Sequence, residues 1–279
     1  AASSAVQMRC PPAGFTGTSR ASVGSPMRPL SRRLPCSIAV WVDDTSMNRC
    51  SLQPGQFVHL EVDPLRPMRR PISIMRTSPE QGWVEFLYKV VGDGTALLAR
   101  RTVGETISVL GPIGVPFRLD AKRPLLIGGG VGMPPMIFIA QALRSTSAKP
   151  FVILGSEVPF PFTPRPSQFV TDGLPDGVIG AMPLLDDWGI PSRLSSLQGY
   201  AGCHQGYVTD LARRWLDGLD EAARSEVGVY ACGPHPMLEA VARLAEEFDL
   251  PCQVSLEEFM ACGVGGGAGC VVPVETPAG

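Results

Sequence analysis

No acidic residue precedes Asp43, although five Arg and seven Ser fall in that stretch. Charge is scarce throughout, with Asp, Glu, Lys and Arg at 18% of 279 residues and a net charge of −2. Nucleic-acid binding calls for a basic face, so this balance excludes it. No uninterrupted apolar run approaches the roughly 18 residues that span a bilayer, and we expect a soluble protein with no membrane partner. His is nearly absent. His59, His204 and His235 share no metal-ligand spacing, so structural or surface roles are expected and no general base is assigned. Eight Cys are too scattered along a chain of this length to be a disulfide scaffold. No charged n-region followed by an apolar h-region opens the sequence, so reduced thiols in a cytoplasm are the expectation.

What is present is enough for two cores: 44% of the residues are hydrophobic, and the length exceeds that of most single domains. Residues 1–36 are read as a poorly ordered extension, and their acid-free, Ser- and Arg-rich composition also fits an organelle transit segment. From 37 to 120 short alternating runs dominate, among them Phe57–Val62, Gly82–Val90 and Thr106–Leu110, punctuated by Gly and Pro. This pattern predicts a small antiparallel β-barrel. From 121 to 251 buried strands alternate with helical stretches: Pro124–Ile127, Phe151–Leu154 and Val227–Ala231 against Pro134–Ala142 and Met237–Phe248. Such alternation predicts a parallel α/β sheet. Residues 156–191 carry seven Pro and little periodicity, so no element is assigned there. Residues 252–279 form a Gly- and Cys-rich tail.

Two motifs carry chemistry. The first, Arg70-Pro71-Ile72-Ser73, sits at the barrel rim. Arg70 offers a rigid fork of donors to a diphosphate, and Pro71 holds the strand extended. Ser73 offers a hydroxyl and a backbone N–H to a flavin ring nitrogen. Downstream, Leu87-Tyr88-Lys89 adds a strand with an aromatic, and Gly94-Thr95 permits close approach of a phosphate. The second motif is Gly128-Gly129-Gly130-Val131-Gly132-Met133-Pro134-Pro135, where glycines follow a buried strand and open a helix. A dinucleotide's phosphates bind at such a turn. Its partner is Cys232-Gly233-Pro234, at the carboxyl end of another strand, where open parallel sheets place their ligand crevice. Glu157 follows the second strand, and an acid there accepts from a ribose diol and repels a 2′-phosphate, which predicts NADH over NADPH. Ser73 and Cys232 are the candidate catalytic residues. Hydride transfer between a nicotinamide and a flavin ring held in contact would need no general base.

Taken in order, with Leu110-Gly111-Pro112-Ile113-Gly114 between them, these motifs resemble the ferredoxin–NADP reductase superfamily. The tail, from Leu256-Glu257-Glu258 to Cys262-Gly263-Val264-Gly265, resembles the electron-transfer subunits of class 1B dihydroorotate dehydrogenases. The resemblance implies an FAD barrel, an NAD(H) domain and a C-terminal lobe holding a 2Fe–2S cluster. Electrons would pass between these and FMN in a separate catalytic subunit, in a heterotetramer serving pyrimidine biosynthesis. It implies that Arg70 to Ser73, Leu87 to Lys89, Gly94 and Thr95 contact FAD, and that Gly128 to Pro134 and Cys232 to Pro234 line the nicotinamide site. The cluster motif of that family is Cys-Gly-x-Gly-x-Cys-x-x-Cys with a further Cys downstream. Here Gly267 stands at the second Cys, leaving Cys262 and Cys270 as metal candidates. Either the tail is truncated and altered or the cluster is lost, and no intact cluster is expected. Two other readings stay open: a stand-alone NAD(P)H–flavin or ferredoxin reductase, and a degenerate non-enzymatic partner subunit.

Overall fold

The computed structural model describes residues 18–23, 36–42, 52–66, 68–258, 260 and 270. They divide into two compact units between Phe117 and Arg118, close to the composition change at 120.

The first unit is a closed antiparallel barrel. Its strands are β1 (Thr18–Val23), β2 (Cys36–Val42), β3 (Phe57–Leu60), β4 (Arg70–Ser78), β5 (Trp83–Tyr88) and β6 (Thr106–Ile113), arranged in the order β1-β2-β5-β4-β3-β6. Val58, Leu60, Ile74, Phe86 and Ile107 are buried within the barrel. The barrel begins earlier than position 37. Thr18–Val23, assigned above to a poorly ordered extension, pairs with β2 on one side and β6 on the other. A strand gripped along both edges needs no apolar signature of its own, and without it β2 and β6 would be open edges. A short helix, Asp93–Leu98, lies between β5 and β6.

The second unit is a five-stranded parallel sheet, formed by β7 (Arg123–Gly129), β8 (Phe151–Gly155), β11 (Ser192–Ser195), β12 (Val227–Cys232) and β13 (Cys252–Ser255) in the order β11-β8-β7-β12-β13. Its central strands are near-continuous apolar runs because both faces are covered. On one face Leu125, Ile127, Phe151, Ile153 and Val229 pack against Leu211 and Trp215 of helix Val208–Asp217 and Val241 and Leu244 of helix His235–Glu247. Helix Met133–Leu143, buried almost all round, packs against β7, β8 and β12 with side chains outside that cluster.

The Pro-rich stretch contains β9 (Arg165–Pro166) and β10 (Gly180–Ala181), paired with each other, and helix Pro183–Asp187. Asp186, buried at the end of that helix, accepts from Ser167 Oγ at 2.9 Å and Gln168 N at 3.1 Å, which pins the stretch to itself. The boundary placed at 252 cuts the sheet, since Cys252–Ser255 is its fifth strand. Among the described residues no helix is long and apolar enough to cross a membrane.

Candidate functional site

The parallel sheet reverses its winding direction between β7 and β12: from β7 the chain moves outward to β8 and β11, then returns to the other side as β12 and β13. Ligand crevices in open α/β sheets form at such a switch, at the carboxyl ends of the strands. Both glycine motifs meet there, with Gly128 directly opposite Cys232 in the ladder. The turn Gly130–Gly132 leads into helix Met133–Leu143, with proline in its first turn, where the missing N–H costs nothing.

The glycines of this turn divide into two kinds. A Cβ on Gly132 would overlap the carbonyl of Cys232 and come within 2.6 Å of Gly233 N; one on Gly129 would overlap Met237 Sδ. Gly132 thus lets β7's turn touch β12's turn backbone to backbone, while Gly129 makes room for the Met237 side chain. Gly130 differs: its φ of +57° is left-handed and the space beside it is open. It is exposed, as is Val131 after it, so Gly130 and Val131 form the rim available to a ligand.

Cys232 is 2% exposed. Its Sγ–H donates to Glu257 Oε1 at 4.0 Å. Burial pushes this thiol up to about 12, the Glu257 charge adds to the shift, and a hydrogen bond with Ser255 opposes it. The group is therefore a neutral thiol at physiological pH. Glu257 as a residue reaches the surface, yet desolvation around its carboxyl raises that group as well. Ser255 and Glu257 were not read from the sequence as site residues. The available signal was their position, since β13 runs parallel beside β12 and Cys232 pairs with Ser255. Pro234 is exposed and Gly233 buried.

Glu157 is exposed just beyond β8, the neighbour of β7 on the side away from Cys232. Its turn is held by Ser156, whose N–H donates to Ser195 O at 3.1 Å and whose hydroxyl donates to Val158 O at 2.7 Å.

In the barrel unit, β3 and β4 pair so that Arg70 lies opposite Leu60, Pro71 opposite His59, Ile72 opposite Val58 and Ser73 opposite Phe57. Arg70 Nη1 donates to Met68 O at 2.7 Å, which folds the guanidinium back along the rim. It comes to rest on Gly94, where a Cβ would stand 2.6 Å from Arg70 Cζ. Two motifs far apart in sequence thus form one contact. Thr95 does something other than expected. Its hydroxyl accepts from Val91 N at 3.0 Å and Gly92 N at 3.2 Å and donates to Gly92 O at 3.0 Å, so it holds its own turn. Ser73 and Leu87 flank the Ile74–Phe86 pair at the end of the β4–β5 ladder. Leu87 and Tyr88 are buried in the barrel wall, and Lys89 is half-buried at its edge.

Three arginines crowd this rim. Arg69 is neutralised by Glu61 at 2.9 Å, and Arg66 approaches Asp93 at 3.5 Å. Among the described residues Arg70 alone of the three has no carboxylate partner. Nearby, His59 is buried with Nε2 unpartnered, and burial together with the Arg69 charge lowers its pKa.

Cys262 and Gly267 lie outside the described residues; Cys270 is half-buried. Among the described residues no group of three or more His, Cys, Asp or Glu side chains gathers as a metal site.

No family model matches the chain. It is 39% identical over 232 residues to the electron transfer subunit of dihydroorotate dehydrogenase B (NAD(+)) from Bacillus caldolyticus, covering 80% of this chain and 78% of that protein. To the protein of the same name from Shouchella clausii it is 36% identical over 230 residues, covering 80% and 78%. Among solved structures it resembles an NADH-dependent reduced ferredoxin–NADP oxidoreductase, with a TM-score of 0.67 and 26% identity over 92% of this chain and 82% of that one. The ferredoxin reductase of carbazole 1,9a-dioxygenase shares the fold, with a TM-score of 0.65 at 22% identity, covering 86% of this chain and 69% of that chain.

Proposed function

Because the chain belongs to the family of dihydroorotate dehydrogenase B electron transfer subunits, we propose that it is an oxidoreductase component that binds FAD on the barrel and NAD(H) on the parallel sheet. The observation that carries this reading is the Arg70 guanidinium, laid on Gly94 with no carboxylate partner among the described residues. A pre-folded guanidinium without an ion-pair partner among the described residues fits an anionic diphosphate, and the missing side chain of Gly94 leaves room for that guanidinium to lie there. The residues present therefore fit the flavin nucleotide.

In this reading Arg70, beside helix Asp93–Leu98, neutralises the FAD diphosphate. Thr95 keeps its own turn in shape. Ser73 supplies its hydroxyl and backbone N–H to the ring, and Pro71 and Ile72 hold the strand beneath. Leu87, Tyr88 and Lys89 form the wall beside it. Bound FAD supplies hydride acceptance and electron release, which no side chain can provide.

On the sheet, Gly132 lets the β7 turn lie on the β12 turn, Gly129 makes room for Met237 and Gly128 for Met133, and Gly130 leaves its amide open to the dinucleotide phosphates. Cys232, Gly233 and Pro234 border the nicotinamide. Cys232 stays a neutral thiol and so adds no charge beside a ring whose charge changes on hydride transfer. Pro134 starts the helix without a wasted donor. Glu157 accepts from the ribose hydroxyls and repels a 2′-phosphate, favouring NAD(H). Electrons then pass to or from an FMN-containing catalytic subunit of dihydroorotate dehydrogenase in a heterotetramer, in the cytoplasm.

The test is co-purification. The protein should be yellow and release FAD on denaturation, and NADH should bleach it anaerobically. Colourless protein that cannot be reconstituted with FAD would refute the reading.

A further inference from the structure

The family resemblance implies a 2Fe–2S cluster, whose irons need four protein ligands, normally thiolates. We infer that the motif, with Gly267 standing at a thiolate position, does not assemble a stable cluster, so that electrons leave the protein from its flavin. The inference rests on the FAD reading above and concerns what lies beyond it.

The missing ligand is internal to the motif. Between Cys262 and Cys270 every residue is Gly, Val or Ala, with Gly267 at the position of the second thiolate. None of these side chains can coordinate a metal, and the stretch from 256 to 279 contains no His. Its acids, Glu257, Glu258 and Glu275, are hard oxygen donors, poorly matched to a cluster that selects soft thiolates.

The described cysteines outside the tail are spread over both units: Cys36 opens β2 of the barrel opposite Tyr88, and Cys203, Cys232 and Cys252 belong to the sheet unit. Cys232 is the last residue of β12, buried and directed to Glu257. Cys252 opens β13 opposite Val229, three residues from the rung where Cys232 meets Ser255. The two thiols therefore lie apart along the sheet and do not form a pair. Burial pushes each up to about 12, which opposes the deprotonation that ligation requires. Cys203 lies in the loop before His204, and its thiol is likewise raised by burial. Among the described cysteines Cys270 alone belongs to the motif.

The consequence is a carrier that ends at flavin. NADH would deliver a hydride, two electrons with one proton, to FAD. Those electrons would leave the flavin directly to an external acceptor, and ferricyanide, taking one electron per ion, serves as the probe.

The experiment uses the full chain purified anaerobically and incubated with ferrous iron and sulfide under reducing conditions. Flavin, iron and acid-labile sulfide are measured per chain, with EPR after dithionite reduction and NADH–ferricyanide turnover on the same sample. The expected result is stoichiometric FAD, iron and sulfide at background, no reduced-cluster signal, and active turnover. Two irons and two sulfides per flavin with a reduced 2Fe–2S signal would overturn the inference and leave the FAD reading intact. Protein without flavin would instead overturn the reading on which the inference rests.

Discussion

A single methyl group at Gly94 should unseat Arg70. The added Cβ would stand 2.6 Å from Arg70 Cζ, inside any real contact distance, so one of the two must move. The mobile partner is the guanidinium, at the far end of a flexible side chain, which makes the structural cost small. Ala also favours a helical position over Gly by about 0.5–1 kcal/mol, and Gly94 lies in helix Asp93–Leu98. Gly94→Ala should therefore leave the melting temperature unchanged or slightly raised. Affinity for FAD should behave differently. A hydrogen bond to a charged group is worth about 1.5–3 kcal/mol, so displacing the fork corresponds to roughly 10- to 150-fold weaker binding. Arg70→Ala should lose a similar amount, and the double variant should lose no more than Arg70→Ala alone, because both remove one interaction. The assay is fluorescence titration of apoprotein with FAD, beside thermal denaturation. Wild-type affinity in Gly94→Ala, or losses that add in the double variant, would refute the reasoning.

At Gly132 a Cβ meets backbone, the carbonyl of Cys232, which cannot swing aside. Gly132→Ala should thus destabilise the sheet unit by about 1–3 kcal/mol in urea unfolding and raise KM for NADH. Glu157→Arg should shift the ratio of kcat/KM values from NADH towards NADPH, and an unchanged ratio would remove Glu157 from the ribose site. Cys232 should resist alkylation in the folded state and react once the protein is unfolded. Its folded pKa of about 12 lies above the unfolded value of about 8.5. Between these the unfolded state sheds its proton first, so stability should fall as pH rises through that window, and Cys232→Ala should reduce the fall.

The barrel and the sheet were legible because their apolar patterns differ. Phe57–Leu60 and Trp83–Tyr88 read as strands, and Leu125–Ile127 and Phe151–Leu154 as short buried runs. β1 was not legible, since Thr18–Val23 is held by neighbours on both edges and its sequence is mostly polar. The glycine motifs announced the switch point. They did not reveal that Gly129 and Gly132 are taken up by packing against Met237 and Cys232, which leaves Gly130 to the rim. The Gly94-Thr95 pair was legible as a unit, but Thr95's own turn uses its hydroxyl. Contact between Cys232 and Glu257 has no local signal, because it arises only when β13 is laid beside β12.

Anaerobic titration of the flavin-loaded protein with NADH tests the central claim most directly. The account predicts that one equivalent of NADH per flavin bleaches the visible flavin absorbance, since hydride transfer carries two electrons. Protein that holds FAD yet stays oxidised with excess NADH would contradict it.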